Sequence, residues 1–200
     1  MTDTQSLISL LTFAAIATAT PGAATVLVVA SGARFGFRES VPLLLGMALG
    51  LGSLCAGAAA GLGALIQARP ELEWAIRALG SGYLLWLAWR VARSGAPNTA
   101  SATAVKPTGI GGGFLLLALN PKAWTVALSA AAAFSGLTTD LGAMAVMMGG
   151  VFAAAAIVSL SLWCAGGLVL ARALKTAAQW QVVNGALGAL LAGSIAFMWV

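Results

Sequence analysis

The longest uncharged segment of the sequence runs from Leu141 to Ala171, and it limits what the chain can fold into. About twenty consecutive apolar residues cross a bilayer as a helix. The whole chain is 60% hydrophobic and 8% charged, whereas a soluble domain has about 25% charged residues. The chain is therefore predicted to be an all-α integral membrane protein. Its net charge of +5 comes from scattered Lys and Arg, so it does not indicate nucleic-acid binding.

The N-terminal segment LISLLTFAAIATATPGAA has two interpretations, a cleaved secretory signal or a first membrane helix. A signal peptide begins with a positively charged region, but Asp3 is the only charged residue before Arg34. The apolar segment also continues past the would-be cleavage site through TVLVVA. We therefore expect a membrane helix here.

Six spans are predicted when the apolar segments are divided by length. They cover residues 6–31, 41–66, 74–92, 112–135, 142–170 and 180–199, and the fifth is long enough to tilt or to be split. The segment RSGAPNTASATAVKPTG between the third and fourth spans is typical of a loop. We accordingly predict a first three-helix repeat at 1–93, a cytoplasmic loop at 94–109 and a second three-helix repeat at 110–200.

Lys and Arg are unevenly distributed over the two predicted sides of the membrane. Seven follow spans one, three and five, namely Arg34, Arg38, Arg90, Arg93, Lys106, Arg172 and Lys175, whereas only Arg69 and Arg77 lie on the other side. Because cytoplasmic loops are enriched in Lys and Arg, both termini are predicted to face outward. Tryptophans near span ends suit the interfacial aromatic belt; they are Trp74, Trp89, Trp180 and Trp199.

Two segments that lie 100 residues apart are similar. TPGAATVLVVASGARFG begins at Thr20, NPKAWTVALSAAAAFSG begins at Asn120, and both contain P-x-A-x-T-V. If each half has three spans, the second half enters the membrane from the opposite side. This arrangement is an inverted repeat, which is common in secondary transporters.

The pairs Thr20-Pro21 and Asn120-Pro121 are both typical helix starts, because Thr and Asn cap helices and Pro favours the first helical position. Each pair nevertheless lies inside a predicted span. We therefore predict that the first and fourth spans are broken helices, with Gly22 loosening the first break. Backbone freed at that depth is tolerated only against protein or a water-filled cavity.

Lys122 follows the second break, about ten apolar residues from either end of its segment. Burying such a charge costs about 2.5–3.5 kcal/mol on insertion scales. In an inverted repeat the helix N-termini at the two breaks could meet, each with unpaired N–H groups and about half a positive charge. The predicted anion or carboxylate site comprises Thr20, Pro21, Gly22, Asn120, Pro121 and Lys122. The alternative is that the prolines only kink their helices and Lys122 is a structural counter-charge.

Acidic residues are absent from all six predicted spans, and the chain has no His. The sequence thus offers no carboxylate for ion coupling and none to pair with a cationic substrate. We expect a substrate with a carboxylate and a neutral side chain. Cys55 and Cys164 form no C-x-x-C or metal-like cluster, so no cofactor is predicted and both are expected to be buried and reduced.

Four segments resemble the LysE/RhtB family of amino-acid exporters, and the resemblance extends over nearly the full length. They are ATPG in the first span, SGARFGFRESVPLLLGMALG, LGSGYLLWLAWRVARS and FLLLALNPKAW, of which the Asn-Pro-Lys element is the most specific. The resemblance implies a multi-pass protein of the bacterial inner membrane that exports amino acids or close derivatives, driven by the proton motive force. It also matches Tyr83 to the family's usual tyrosine in the third span, so Tyr83 is predicted to bind substrate together with the residues at the two breaks.

The chain departs from this family pattern at two places. Ala23 and Ala24 follow Gly22, where members often have Pro and a polar residue, and Leu51, Gly52 and Ser53 stand where some members have an acidic residue. These departures disfavour the export of a basic amino acid. A homo-oligomer is compatible with the sequence.

Two other functions remain open at this point. A membrane redox carrier would use Cys55 and Cys164, which lie in corresponding predicted spans, although their apolar neighbours do not favour the thiolate. A non-transporting scaffold would give Lys122 no role beyond stability. An enzyme is not expected, since the sequence has no long polar segment that could form a soluble catalytic domain.

Overall fold

A computed structural model describes residues 4–62, 70–94, 96 and 107–196, and this part of the chain is all-helical, as predicted. Its α-helices are α1 Thr4–Ala19, α2 Ala23–Phe35, α3 Phe37–Gly57, α4 Pro70–Ala92, α5 Ile110–Ala118, α6 Pro121–Ala133, α7 Leu141–Ala173 and α8 Ala177–Gly193. A π-helical turn, Ala58–Leu62, extends α3 and contains Gly61 at a φ of 100°, which glycine adopts without strain.

The two predicted breaks are present. α1 and α2 meet at 61° and α5 and α6 meet at 66°, so each pair is either one broken span or a re-entrant loop. Two segments, Phe37–Gly61 and Leu141–Ala173, are long and apolar enough to cross a membrane on their own. Within the described residues, length and composition thus support up to four spans, and the six-span inverted repeat stays a prediction.

α7 is a single helix of 33 residues, so the split of the fifth predicted span does not occur. It packs against α1, α2 and α3 and forms the centre of the fold. Its buried face is a stripe at helical spacing that includes Met148, Phe152, Ala156, Leu160 and Cys164. The broken pair α1–α2 is therefore held against one continuous helix.

Glycines allow these helices to approach one another closely. A Cβ atom added to Gly167 of α7 would collide with the carbonyl of Val29 in α2. An added Cβ on Gly52 of α3 would lie 2.9 Å from the Gly149 carbonyl, and one on Gly149 would lie 3.1 Å from the Gly52 carbonyl. Small residues in these segments thus serve helix packing, as they do in other membrane helices.

α4 and α8 form a second close pair. An added Cβ on Gly188 would lie 2.8 Å from the carbonyl of Ala88. One turn earlier on α8, buried Asn184 donates its side-chain N–H to the carbonyl of Ser94. This bond attaches the end of α4 to α8.

Tryptophans of an interfacial aromatic belt have exposed side chains, and only some of the predicted ones do. Trp74 and Trp89 are 63% and 56% exposed, but Trp180 is only 7% exposed. The expectation that Trp180 faces the interface is therefore wrong, because it shares the buried stripe of α8 with Asn184 and Gly188. Trp199 lies outside the described residues.

The neighbouring glycines Gly166 and Gly167 give a matched test of helix packing. Gly167→Ala should lower the free energy of unfolding by about 1–3 kcal/mol, since the new methyl group overpacks the contact with Val29. Gly166→Ala points into open space and should be neutral or slightly stabilising, because Ala favours helix. Thermal unfolding in detergent measures both; equal melting temperatures would contradict the packing of α7 on α2.

Candidate functional site

The first break leaves backbone carbonyls of α1 without helical partners, and side chains satisfy them. The hydroxyl of Ser159, in α7, donates to the carbonyl of Thr18 at 2.8 Å. Thr20 donates both its backbone N–H and its hydroxyl back to the carbonyl of Ile16, at 3.0 and 2.7 Å. The predicted site did not include Ser159. Its partner lies 141 positions away, and no local pattern predicts such a contact.

α2 begins after the break with Gly22 at its N-cap, so no side chain of the cap satisfies its first N–H groups. The Gly22 N–H itself donates to the Thr25 hydroxyl at 2.7 Å, and that hydroxyl donates to the Gly22 carbonyl at the same distance. The shared P-x-A-x-T-V motif contained this threonine, but the site prediction did not include it. Thr25 holds the turn that opens α2.

The second break is capped as predicted. Asn120 is 5% exposed, and its side-chain oxygen accepts from the Lys122 backbone N–H at 3.0 Å. Pro121 follows as the first residue of α6. The indole N–H of Trp124 donates to the Ala118 carbonyl at 2.8 Å, which satisfies one of the acceptors left by α5.

Lys122 connects the two breaks. Its Nζ donates to the carbonyl of Thr20 at 2.6 Å, across 102 positions of sequence. That carbonyl follows the C-terminal end of α1, where the helix dipole attracts a positive charge. The expectation that Lys122 acts with the two helix N-termini was thus incomplete, because the ammonium also caps a helix C-terminus. An ammonium has three donors, so this bond leaves capacity for another acceptor.

Both helix starts open onto one small cavity, which we call the central cavity. Of the predicted site residues, Thr20, Gly22, Asn120 and Lys122 line it, and its volume is about 60 Å³. A water molecule needs about 10–15 Å³ measured this way, so the space holds a few waters or a small polar group. The structure thereby brings together both ends of the predicted anion site.

Apolar side chains form the rest of the wall. They are Met47, Leu51, Leu117, Val126 and Leu160, with Thr18 and Thr25 as further polar residues. Leu51 is one of the three residues found where some members of the family have an acidic one. Because Leu51 lines the central cavity, the wall is neutral there, while Gly52 packs on Gly149 and Ser53 is exposed.

Three predicted site residues are not among the described residues that line the central cavity: Pro21, Pro121 and Tyr83. The prolines shape the breaks without facing the space. Tyr83 lies on α4, donates its hydroxyl to the Gly112 carbonyl at 3.3 Å and stacks on Trp86 with ring centroids 5.7 Å apart. Tyr83 therefore connects α4 to α5 and does not line the central cavity.

The two cysteines are buried and free, as predicted, and they lie far apart. An added Cβ on Gly32 would lie 2.9 Å from the Cys164 sulfur, and the Ser40 hydroxyl also contacts that thiol. Cys55 is fifteen residues beyond Ser40 on α3, which corresponds to about 22 Å along the helix. A disulfide requires Cα atoms within about 7 Å, so this geometry does not allow one.

Comparison with known proteins identifies the family of this chain. The family model described as LysE type translocator matches residues 15–198. The chain belongs to this family. It is therefore a member of a group of membrane transport proteins rather than of enzymes.

Relatives of this LysE family member include cysteine/O-acetylserine efflux proteins of Escherichia coli and Shigella sonnei. Each is 35% identical over 115 residues, which cover 56% of this chain and 56% of the relative. The chain thus spans about half the length of the curated relatives it matches. No solved structure matches it.

The cap at the second break can be tested by two substitutions of Asn120. Asn120→Ala should lower the free energy of unfolding by about 1 kcal/mol, because the Lys122 N–H loses its acceptor. Asn120→Ser keeps a capping oxygen and should remain closer to wild type. Chemical or thermal unfolding in detergent compares the two, and a serine variant as unstable as the alanine variant would contradict the capping role.

Proposed function

We propose that the protein is a secondary transporter that exports an amino acid or close derivative with a neutral side chain, driven by the proton motive force. The observation that carries the proposal is the central cavity, where two helix starts and the Lys122 ammonium converge. Helix N-termini and an ammonium are the groups that bind a carboxylate in a site removed from water. Transporters built on broken helices use such sites.

A carboxylate entering the central cavity competes with the Thr20 carbonyl for Lys122. The charge-assisted bond to a carboxylate is the stronger of the two, so substrate draws the ammonium away from the end of α1. The Thr20 carbonyl then needs water or another donor, which loosens the contact between the two breaks. Substrate binding is in this way coupled to the position of α1 relative to α6.

The neutral wall supports a substrate with an uncharged side chain. The lining residues described for the central cavity include no Asp or Glu that could pair with a cationic group, and Leu51 is apolar. The efflux proteins similar to this chain are named for cysteine and O-acetylserine, whose side chains are small and uncharged. We propose a substrate of this class. Lys122 is the one titratable residue described in the lining, which makes it the candidate for proton coupling.

For the arrangement in the membrane we propose the six spans and two inverted repeats, 1–93 and 110–200, joined by a cytoplasmic loop at 94–109. Both termini would lie outside a bacterial inner membrane. Contacts between equivalent helices support this repeat: α3 packs on α7, and α4 packs on α8. Elements on a two-fold axis contact their own counterparts, and Gly188 meets Ala88, its equivalent at an offset of 100.

Substitution of Lys122 tests the proposed transport site. Lys122→Met keeps most of the side-chain volume but removes the charge, and should reduce efflux about tenfold or more, as expected for losing a charge-assisted bond. Efflux is measured from proteoliposomes loaded with a mixture of amino acids that includes cysteine and O-acetylserine, with an acidic exterior. Mass spectrometry of the external solution identifies the released substrate. A protonophore should abolish its release.

Lys175→Met provides the matched control, since Lys175 is exposed and lies between α7 and α8. It should transport like wild type. Equal efflux by the Lys122→Met and wild-type proteins would overturn the proposed role of Lys122 in transport. Loss of melting temperature alone, with efflux unchanged, would favour the structural counter-charge and the scaffold interpretation.

The distance between the cysteines disfavours the redox alternative, and a cysteine-free protein tests it. Cys55→Ala with Cys164→Ala should retain efflux, although both sites are fully buried and the protein should lose some stability. Abolished efflux in a folded double variant would revive a role for the thiols. The matched single variants show which cysteine is responsible.

A further inference from the structure

A second cavity, distinct from the central cavity, lies between the C-terminal ends of α2 and α4. Its polar lining comprises Arg34, Arg90, Arg93, Ser31, Ser94 and Thr108, and its volume is about 270 Å³. We call it the arginine cavity. A basic residue in the last turn of α2 or of α4 is individually explained by the helix dipole. The dipole does not explain why three guanidinium groups face one space.

Aromatic rings of α4 stack on Arg90 and on Arg93, which follows the end of the helix. The Arg90 guanidinium lies 4.7 Å from the Trp86 ring centroid, and that of Arg93 lies 3.6 Å from the Trp89 ring centroid. A stacked guanidinium uses its face and keeps the N–H groups of its edge available as donors. Both arginines are therefore arranged to donate to a ligand.

Tyr83 extends this support. It stacks on Trp86 with an interplanar angle of 22°, and its hydroxyl donates to the carbonyl of Gly112 in α5. Trp86 is thus held between Tyr83 and Arg90. The tyrosine that the family resemblance assigned to the substrate site is better described as a positioning residue for Arg90.

The charged residues in the described lining of the arginine cavity are all positive. Its described lining contains no Asp or Glu, and the positive charges of Arg34 and Arg90 repel each other. Hydroxyl groups of Ser94 and Thr108 stand among them as further polar groups. Three arginines around one cavity favour an anion with several acceptor oxygens.

We propose that the arginine cavity is a binding site for an oxyanion, either a carboxylate or the phosphate of an anionic lipid. Basic pockets between membrane helices bind lipid headgroups, so the phosphate is one source of this chemistry. The other source is the transported amino acid. The two cavities share the walls of α2 and α3. Thr25 and Met47 line the central cavity. Leu27, about half a turn from Thr25, and Leu43, about one turn from Met47, line the arginine cavity.

If the ligand is a carboxylate, the arginine cavity is a second substrate-binding site, which the substrate occupies before it enters the central cavity. This interpretation, unlike oxyanion binding itself, rests on the proposed export function. Leu27, Leu43 and Met47 then form the apolar separation that substrate crosses. A lipid phosphate would instead hold α2 and α4 together.

Anion binding is tested without transport. The purified full chain in a neutral detergent is titrated with sodium acetate or with phosphatidylglycerol, at constant ionic strength set by chloride, while tryptophan fluorescence is followed. Wild type should give a saturable change because Trp86 and Trp89 contact the arginines. Arg90→Gln should weaken binding about tenfold or more, and Arg90→Lys should weaken it less because it keeps the charge.

Arg172→Gln is the matched control, since Arg172 is also a basic residue in the last turn of its helix but is exposed and does not line the cavity. It should bind like wild type. A saturable response to acetate identifies the carboxylate, and one to phosphatidylglycerol alone identifies the lipid phosphate. The proposal is overturned if wild type responds to neither probe, or if folded Arg90→Gln responds as wild type does.

A transport measurement separates this proposal from the export function. With a carboxylate ligand, Arg90→Gln proteoliposomes should show a KM for internal substrate raised about tenfold or more at an unchanged maximal rate. Lys122→Met should instead lose the maximal rate. Absence of efflux from wild type would refute the proposed function but would leave the fluorescence result to decide on the oxyanion site.

Discussion

Backbone acceptors inside a bilayer must each find a donor, and the rest of this structure depends on how two helix breaks meet that requirement. Each break frees carbonyl groups that water would satisfy in a soluble protein. Here Ser159 supplies a hydroxyl to Thr18, Trp124 supplies an indole N–H to Ala118, and Lys122 supplies an ammonium to Thr20. Of the residues in these bonds, Thr18, Thr20 and Lys122 also line the central cavity.

This arrangement explains why a stabilising role and a functional role for Lys122 are not exclusive. The bond to Thr20 stabilises the half-buried ammonium of Lys122 when no substrate is bound. It is also a bond that a carboxylate can replace, because the better acceptor carries a full negative charge. A lysine held by a replaceable backbone carbonyl is both a structural contact and a receptor for an anion.

Local chemistry made a large part of the fold predictable from the sequence. Asn120 and Pro121 marked a helix start by their residue types, and both breaks follow from Pro in an apolar segment. Long-range contacts were not predictable, because they depend on how helices pack. The pairing of Ser159 with Thr18 and the meeting of Arg34 with Arg90 have no local signal. Trp180 was mispredicted since its position near a span end was visible but its buried stripe was not.

The reciprocal contact of Gly52 with Gly149 has a mechanical consequence for the two halves of the chain. Interlocked side chains resist sliding because each must change rotamer to pass its neighbour. Gly52 and Gly149 present only backbone to each other, so α3 and α7 can shift at this contact without a change of rotamer there. A larger residue at either position would insert a side chain between the two backbones and hinder such a shift.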